Sequence, residues 1–306
     1  MASDPAGPPV TGAAVPDPAD DNWRERLPGR KVLRDGRVLV WWIELLVMAV
    51  LYVTYEVVRD FNKGGKFEAF DNALRVIDFQ KAAGFNWELD IQHWALHYKG
   101  IIVSSNYFYG SLYVIVTLSV LVWLYRRHPN SYPLWRNTLL LTTLLGLVGF
   151  SMFPLMPPRL LHTMRGDGAF RFRDTLEMYP AFWSFGSGTM KTISNQYAAM
   201  PSLHCGWALW CTCAMYPRLR TWWARTLAVL YTVGTVFVVV VSGNHYFLDA
   251  IAGFTIVAIG YLISRAATRA GRGTPVDGAP TPGPDPVRDR PPASEPPDRT
   301  VQPAAS

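Results

Sequence analysis

The chain has 306 residues, of which 50% are hydrophobic and 17% are charged, and its formal net charge is +6 at pH 7. Both ends, residues 1–21 and 271–306, are rich in Pro, Gly, Ala and Asp and have almost no bulky apolar residues, so they cannot bury enough surface to fold. Between them Leu, Val, Trp, Phe and Tyr dominate. The positive charge lies mostly in short loops beside apolar segments, so it predicts no nucleic-acid partner.

Six apolar segments follow one another along the chain, each about as long as a helix that crosses a bilayer. They comprise residues 38–58, 108–125, 134–153, 199–216, 222–241 and 246–264. We therefore predict an all-α fold, a polytopic membrane protein with a bundle of six transmembrane helices. The predicted divisions are a disordered basic cytoplasmic segment at 1–37, the membrane domain at 38–265 and a disordered Pro-rich cytoplasmic tail at 266–306.

Basic residues indicate the orientation of this bundle, because short cytoplasmic loops carry an excess of Lys and Arg. Arginines cluster before the first segment, between the second and third, between the fourth and fifth, and after the sixth. Six spans place all four clusters on one side, so we predict that both termini are cytoplasmic. The high Arg, Ala and Pro content is typical of a GC-rich bacterial genome and favours the plasma membrane.

The first of two long connections on the predicted outer side is residues 59–107. From residue 70 to residue 98 its amphipathic pattern predicts helices that lie in the membrane interface. His93 and His97 are four residues apart within it, but no third ligand is close in sequence. We therefore favour interfacial packing for both histidines, and we predict no metal and no other cofactor.

The second outer connection, residues 154–198, begins with the run Pro-Leu-Met-Pro-Pro-Arg159. Its prolines cannot continue a helix, so the third span ends there and Arg159 lies near the outer surface. The residues that follow combine Arg and Lys with many Gly and aromatic residues, and they predict a partly ordered cap. Glu44, within the first span, is a polar residue to which the sequence assigns no role.

The first candidate for chemistry is a histidine at the outer start of the fourth span. Pro201 and Ser202 precede His204, and Pro is favoured at the first position of a helix, so we predict His204 in the first helical turn. A helix start offers free N–H groups to an anion. Ser202 adds a hydroxyl, and Arg159 offers a planar guanidinium for a phosphate.

The second candidate is the pair formed by His245 and Asp249, which share one face at the outer start of the sixth span. An Asp that accepts the proton of one imidazole nitrogen frees the other nitrogen to attack. With His204, the pair supplies a nucleophile and a general acid. Because ionisable groups in a membrane span are rare and mark function, these residues predict chemistry on a phosphate, with helix-packing histidines as the alternative.

These motifs carry a family resemblance. Pro201-Ser-Leu-His204 and His245-Tyr-Phe-Leu-Asp249, set within six spans, resemble two motifs of the phosphatidic-acid phosphatase type 2 superfamily. Together with Pro-Pro-Arg159 they resemble more narrowly its inositolphosphorylceramide-synthase-like, or inositolphosphotransferase, branch. The resemblance covers roughly residues 38–265 and implies catalysis without a metal.

The resemblance also implies a role for each matching residue. His245 would be the nucleophile on phosphorus, Asp249 its orienting partner, and His204 the donor of a proton to the leaving oxygen. Ser202 and Arg159 would bind the substrate phosphate. The substrates would be membrane lipids, and the site would face the outer side.

The chain also departs from the phosphatases of this family. Their first motif, a Lys followed by Arg-Pro, has no match, and Val238 and Val239 stand where their third motif begins with Ser-Arg. These differences favour a transferase that moves a phospho-alcohol head group between lipids through a phosphohistidine. A lipid phosphate or pyrophosphate phosphatase is the alternative, and a non-enzymatic transporter of anionic lipids is a second one.

Overall fold

The computed structural model describes residues 30–61, 65–164, 171–180 and 197–270, and 77% of these residues are helical. The predicted all-α fold is therefore confirmed as a mainly helical one, with two short strands among the described residues. Of the two ends predicted to be unfolded, residues 1–29 and 271–306 lie outside the described residues. Residues 30–37, assigned by the sequence to the unfolded N-terminal segment, instead form a strand and its turn, and residues 266–270 extend the last helix.

The elements follow a simple order. Two short antiparallel strands, β1 (Arg30–Val32) and β2 (Val38–Val40), precede the helices. The helices are α1 (Trp41–Phe61), α2 (Lys66–Ala82), α3 (Glu88–Leu96), α4 (Lys99–Tyr107), α5 (Tyr113–Arg127), α6 (Tyr132–Met152), α7 (Thr175–Met178), α8 (Leu203–Met215), α9 (Trp222–Val241) and α10 (Phe247–Ala270). A π-helical turn, Phe108–Leu112, joins α4 to α5, and two 3-10 helices, Pro158–Thr163 and Tyr216–Arg218, follow α6 and α8.

Three helices among the described residues are long and apolar enough to cross a membrane: the continuous helix Lys99–Arg127, α9 and α10. They indicate a membrane protein. A helix lies at each of the six predicted segments, but α8 has only 13 residues, a rise of about 20 Å. Arg136 and several threonines lower the hydropathy of α6. The six-span arrangement therefore stays a proposal.

Glycines allow α10 to pack closely against α6 and α8. A Cβ added to Gly253 of α10 would lie 2.4 Å from the carbonyl oxygen of Ser202, and one added to Gly206 of α8 would lie 3.2 Å from the Gly253 carbonyl oxygen. Further along α10, a Cβ on Gly260 would lie 3.1 Å from the hydroxyl oxygen of Thr142. Because Gly206 and Gly253 have no side chains, the start of α8 can pack directly against the start of α10.

Glu44, to which the sequence assigned no role, joins α1 to α6. Its Oε1 lies 2.6 Å from Nη1 of Arg136, and its Oε2 accepts a hydrogen bond from the Tyr132 hydroxyl at 3.1 Å. The Glu44 residue is 7% exposed. This buried ion pair anchors the first helix to the bundle, and it lies at the end of α6 opposite to Arg159.

The stretch predicted to be amphipathic, residues 70–98, forms most of α2 and the whole of α3. The small and aliphatic residues of α2 pack into the fold against residues that follow α6; the members of this cluster include Ala69, Ala73, Val76, Ile77, Leu155, Met156, Leu160, Leu161 and Tyr246. Exposed aromatic side chains lie on the other face of these helices, at Phe67, Phe79, Trp87 and Trp94. The two helices therefore form a cover over the start of α10.

Candidate active site

The five predicted site residues lie on three segments that meet at one end of the bundle. Ser202 and His204 stand at the start of α8, His245 and Asp249 at the start of α10, and Arg159 in the 3-10 helix after α6. The ring centroids of the two histidines are 5.9 Å apart. The backbone N–H of Arg159 donates to a carbonyl in the turn that carries His245. The structure thus brings all five residues together.

The start of α8 lies two residues later than predicted. Ser202 caps the helix, and its hydroxyl oxygen accepts the N–H of Cys205 at 3.4 Å. Pro201 therefore precedes the cap and does not occupy the first helical position. The N–H of Ser202 donates to the carbonyl oxygen of Asp249 at 2.9 Å, so one backbone hydrogen bond links the two histidine motifs and fixes His204 in the first turn.

A tight turn between α9 and α10 carries His245. Gly243 in this turn has φ +69°, a conformation that residues with a side chain rarely adopt, and a Cβ there would lie 2.9 Å from Nε2 of Gln92. The Gly243 carbonyl accepts the N–H of Arg159 at 2.8 Å. Oδ1 of Asn244 accepts from Nε of Arg159 at 2.8 Å. The turn and Arg159 are therefore held as one unit.

His245 and Asp249 form the pair that their spacing predicts. Nδ1 of His245 lies 3.2 Å from Oδ2 of Asp249, which also accepts the N–H of Tyr246 at 2.9 Å. His245 is 5% exposed and Asp249 is 0% exposed. Burial, reinforced by the charge of Arg159 and opposed by the Ala199 backbone, lowers the pKa of His245 to about 4. The imidazole is therefore neutral at pH 7.

His204 lies between two tyrosines that the sequence did not single out. Its ring stacks on Tyr109 with 4.3 Å between centroids, and the Tyr113 ring centroid lies 4.2 Å away. Tyr109 belongs to the π-helical turn and Tyr113 follows it directly; such turns often occur at functional sites. In the sequence both read as ordinary aromatic residues of an apolar segment, which is why the pattern gave no signal.

The guanidinium of Arg159, predicted to bind phosphate, contacts a carboxylate in this structure. Nη1 of Arg159 lies 2.6 Å from Oδ2 of Asp174. Oδ1 of Asp174 accepts the N–H groups of Leu176 and Glu177, so Asp174 also caps α7. A phosphate at Arg159 would share or replace the Asp174 contact. The sequence did not predict Asp174, because the two residues are joined only by the fold.

The histidines His93 and His97 make backbone contacts. Nε2 of His93 lies 3.3 Å from the Arg171 carbonyl oxygen, and Nδ1 of His97 lies 2.9 Å from the His93 carbonyl oxygen. Within the described ranges, no group of three His, Cys, Asp or Glu side chains is arranged to hold a metal ion. Packing of both histidines in the membrane interface stays a prediction.

Comparison with known proteins adds one match. A family model described as the PAP2 superfamily matches residues 74–263, which is more than half of the chain and includes all five site residues. The resemblance of the histidine motifs is therefore supported at the level of the superfamily, and the match does not distinguish its branches. No curated protein and no solved structure matches the chain.

Proposed function

The chain belongs to the PAP2 superfamily, whose members are generally phosphatases or phosphotransferases, and we propose that it is a lipid phosphotransferase with a histidine nucleophile. It would move a phospho-alcohol head group from one membrane lipid to another without a metal. The observation that carries this proposal is the buried His245–Asp249 pair, 3.2 Å between Nδ1 and Oδ2, beside His204.

In the first step, Nε2 of His245 attacks the phosphorus of the donor lipid while Asp249 holds Nδ1–H. The N–P bond forms and the P–O bond to the departing lipid breaks. His204, in its protonated form, gives that oxygen a proton. The ring centroids of the two histidines are 5.9 Å apart, which supports the contact of both imidazoles with one phosphoryl group. The lowered pKa of His245 supports its part, because the attacking imidazole must be neutral.

Hydrogen-bond donors at the same end of the bundle would stabilise the negative charge of the phosphate. Arg159 brings a guanidinium through its link to Asn244, and Ser202 brings its hydroxyl at the start of α8, where the helix dipole favours an anion. These donors stabilise the negative charge as the phosphorus becomes five-coordinate. Asp174 neutralises Arg159 when no phosphate is present.

In the second step, neutral His204 removes the proton from an acceptor hydroxyl, whose oxygen attacks phosphorus. The O–P bond forms, the N–P bond breaks and His245 is regenerated. The near-complete burial of His245 and Asp249 beneath α2 and α3 supports transfer to an alcohol, since a site that excludes water disfavours hydrolysis. If water is the acceptor, the same residues make a lipid phosphate phosphatase.

We also infer the placement of this site relative to the membrane. Helix α1, the helix Lys99–Arg127, α6, α8, α9 and α10 would form six spans within a domain at residues 38–265, with both termini in the cytoplasm. The basic loops at Arg126–Arg127 and Arg218–Arg225 support this orientation. The end of the bundle that carries the histidines would then face the outside of a plasma membrane, where the lipid substrates lie in the outer leaflet.

Reconstitution tests the proposal directly. Purified protein is incorporated into vesicles made from a ³²P-labelled bacterial lipid extract, and the lipids are separated over time. A transferase moves label from one phospholipid into a new one, and His245→Ala abolishes this conversion. Release of inorganic phosphate in place of a new lipid would assign a phosphatase. Labelled lipid that changes leaflet without changing chemically would assign a transporter.

A further inference from the structure

The start of α10, directly after His245, is capped by side chains that are distant in sequence. The N–H of Phe247 donates to Oε1 of Glu88 at 2.9 Å, and the N–H of Leu248 donates to Oε1 of Gln80 at 3.0 Å. The Gln80 amide donates in turn to Glu88. The first N–H groups of a helix have no partner inside the helix and are usually capped by a neighbouring residue. Here residues of α2 and α3 provide the cap.

The same helix α3 also holds the end of α9, on the other side of the turn. Nε2 of Gln92 donates to the Val241 carbonyl at 3.0 Å and to the Arg173 carbonyl at 3.0 Å, and its Oε1 accepts the Arg173 N–H at 2.8 Å. Glu88 and Gln92 are four residues apart and therefore share a face of α3. One face of α3 therefore forms hydrogen bonds both with the last carbonyl of α9 and with the first N–H of α10.

Burial shows that these contacts are more than a surface cap. Glu88 is 1% exposed, and Gln80 and Gln92 are 0% exposed. Polar side chains at this depth are unfavourable unless they are hydrogen-bonded, and the positive end of the α10 dipole compensates a carboxylate. Apolar residues would cover the turn without that requirement. Compared with apolar residues at the same positions, these three polar side chains therefore add the hydrogen bonds that hold the turn.

We propose that Gln80, Glu88 and Gln92 are positioning residues that clamp the turn carrying His245. They bind the backbone on both sides of the turn, at Val241, Phe247 and Leu248, and act on the imidazole through it. Because the turn is fixed at both ends, the imidazole keeps its alignment to Asp249 and its distance to His204 before a substrate arrives. The mechanistic part of this inference rests on the proposed function of His245, whereas the structural clamp does not.

Amide hydrogen exchange followed by mass spectrometry tests the clamp without any substrate. Glu88→Ala in the full-length protein should speed exchange at Phe247 and Leu248 by about tenfold or more, because a hydrogen bond to a charged acceptor is lost. Glu88→Gln replaces the carboxylate oxygen with an amide oxygen that can still accept the Phe247 N–H, so its exchange rates should stay near wild type. Asp90→Ala removes an exposed carboxylate from the same helix and is the matched control. Unchanged exchange in Glu88→Ala would overturn the clamp.

A second variant keeps this test decisive if Glu88→Ala does not fold. Gln80→Ala removes the acceptor of the Leu248 N–H and leaves the Glu88 carboxylate in place. Exchange should then rise at Leu248 and much less at Phe247. Equal exchange at both positions in this variant and in wild type would also overturn the clamp.

The affinity for two anions tests whether the clamp positions His245. Vanadate adopts the five-coordinate geometry of phosphoryl transfer, and inorganic phosphate resembles the ground state. We expect Glu88→Ala to weaken vanadate binding by about tenfold to a hundredfold and phosphate binding much less, with recovery in Glu88→Gln. Equal weakening of both anions would overturn a positioning role. A wild-type protein that binds no vanadate would instead refute the proposed function, and hydrogen exchange would still decide the clamp.

Discussion

The contact between α8 and α10 at Gly253 provides a sharp test of how the site is assembled. A Cβ introduced by Gly253→Ala would lie 2.4 Å from the carbonyl oxygen of Ser202 and 3.3 Å from the nitrogen of Gly206. Both are backbone atoms, which cannot rotate away. The two helices must therefore separate by about 1 Å to restore ordinary contact, and this movement carries Ser202 and His204 away from Asp249.

Overpacking of this kind destabilises a fold by about 1–3 kcal/mol, and a displacement of about 1 Å in a catalytic group lowers turnover by up to about a hundredfold. Thermal unfolding in detergent and the vesicle transfer assay measure the two effects. Gly234→Ala in α9 is the matched control, because beyond its own helix backbone and chain neighbours no atom lies within 4 Å of its new Cβ, and it should stabilise by about 0.5–1 kcal/mol. Wild-type stability and turnover in Gly253→Ala would refute this packing argument.

Three further predictions concern protonation, the bundle and the membrane. The pKa of His245 is lowered from 6.5 to about 4, so its imidazole stays neutral as the pH falls. The acid limb of the kcat/KM profile that reports His245 should therefore lie well below pH 6.5. An acid limb at or above pH 6.5 would contradict the burial argument. Glu44→Ala leaves the charge of Arg136 unpaired where the side chains of Glu44 and Arg136 are 9% and 21% exposed. It should lower the free energy of unfolding in detergent by up to about 3 kcal/mol, and the double variant with Arg136→Leu should recover part of this loss. If the pair contributed nothing to stability, neither the loss nor the recovery would be seen. In a cysteine-free background, Ala83→Cys should react with an impermeant maleimide on intact cells and Thr221→Cys should not, since these exposed positions lie on opposite sides of the proposed membrane; the reverse labelling would overturn the orientation.

The sequence predicted the elements whose cause is local. Long apolar runs predicted α9 and α10, and the spacing of His245 and Asp249 predicted that the two side chains pair. The pair forms, but His245 lies in the turn before α10 and not on the helix itself. The cap at Ser202 was not predicted, although Ser is favoured at that position. The exact start of α8 was wrong by two residues, since Pro201 lies before the cap.

The residues that the sequence missed depend on contacts between distant parts of the chain. Glu88 contacts a residue 159 positions away, and Gln80 contacts one 168 positions away. In the amphipathic pattern both read as the polar side of a helix in the membrane interface. Glu44 was unassigned for the same reason, since its partner Arg136 lies 92 positions away. Hydrophobic periodicity carries no information about such pairs.

The substrate, like these residue pairs, could not be predicted from local sequence patterns. The short motifs with two histidines and an aspartate predicted chemistry on a phosphate, and the match to the superfamily supports the assignment at that coarse level. In the proposed transferase, the choice of head group and acceptor would depend on the residues around the site. The position of the cover formed by α2 and α3 and the contact between Arg159 and Asp174 both follow from tertiary contacts.

The central claim is that the transferred group passes through His245, and a covalent adduct on that residue tests it most directly. Protein in lipid vesicles is quenched in alkali, which preserves a phosphohistidine, and the peptide that contains His245 is analysed by mass spectrometry. The account predicts a phospho-alcohol or phosphoryl adduct on His245 whose mass identifies the transferred group, and neither adduct nor turnover in His245→Ala. Turnover that continues in His245→Ala, or an adduct on a different residue, would contradict the account.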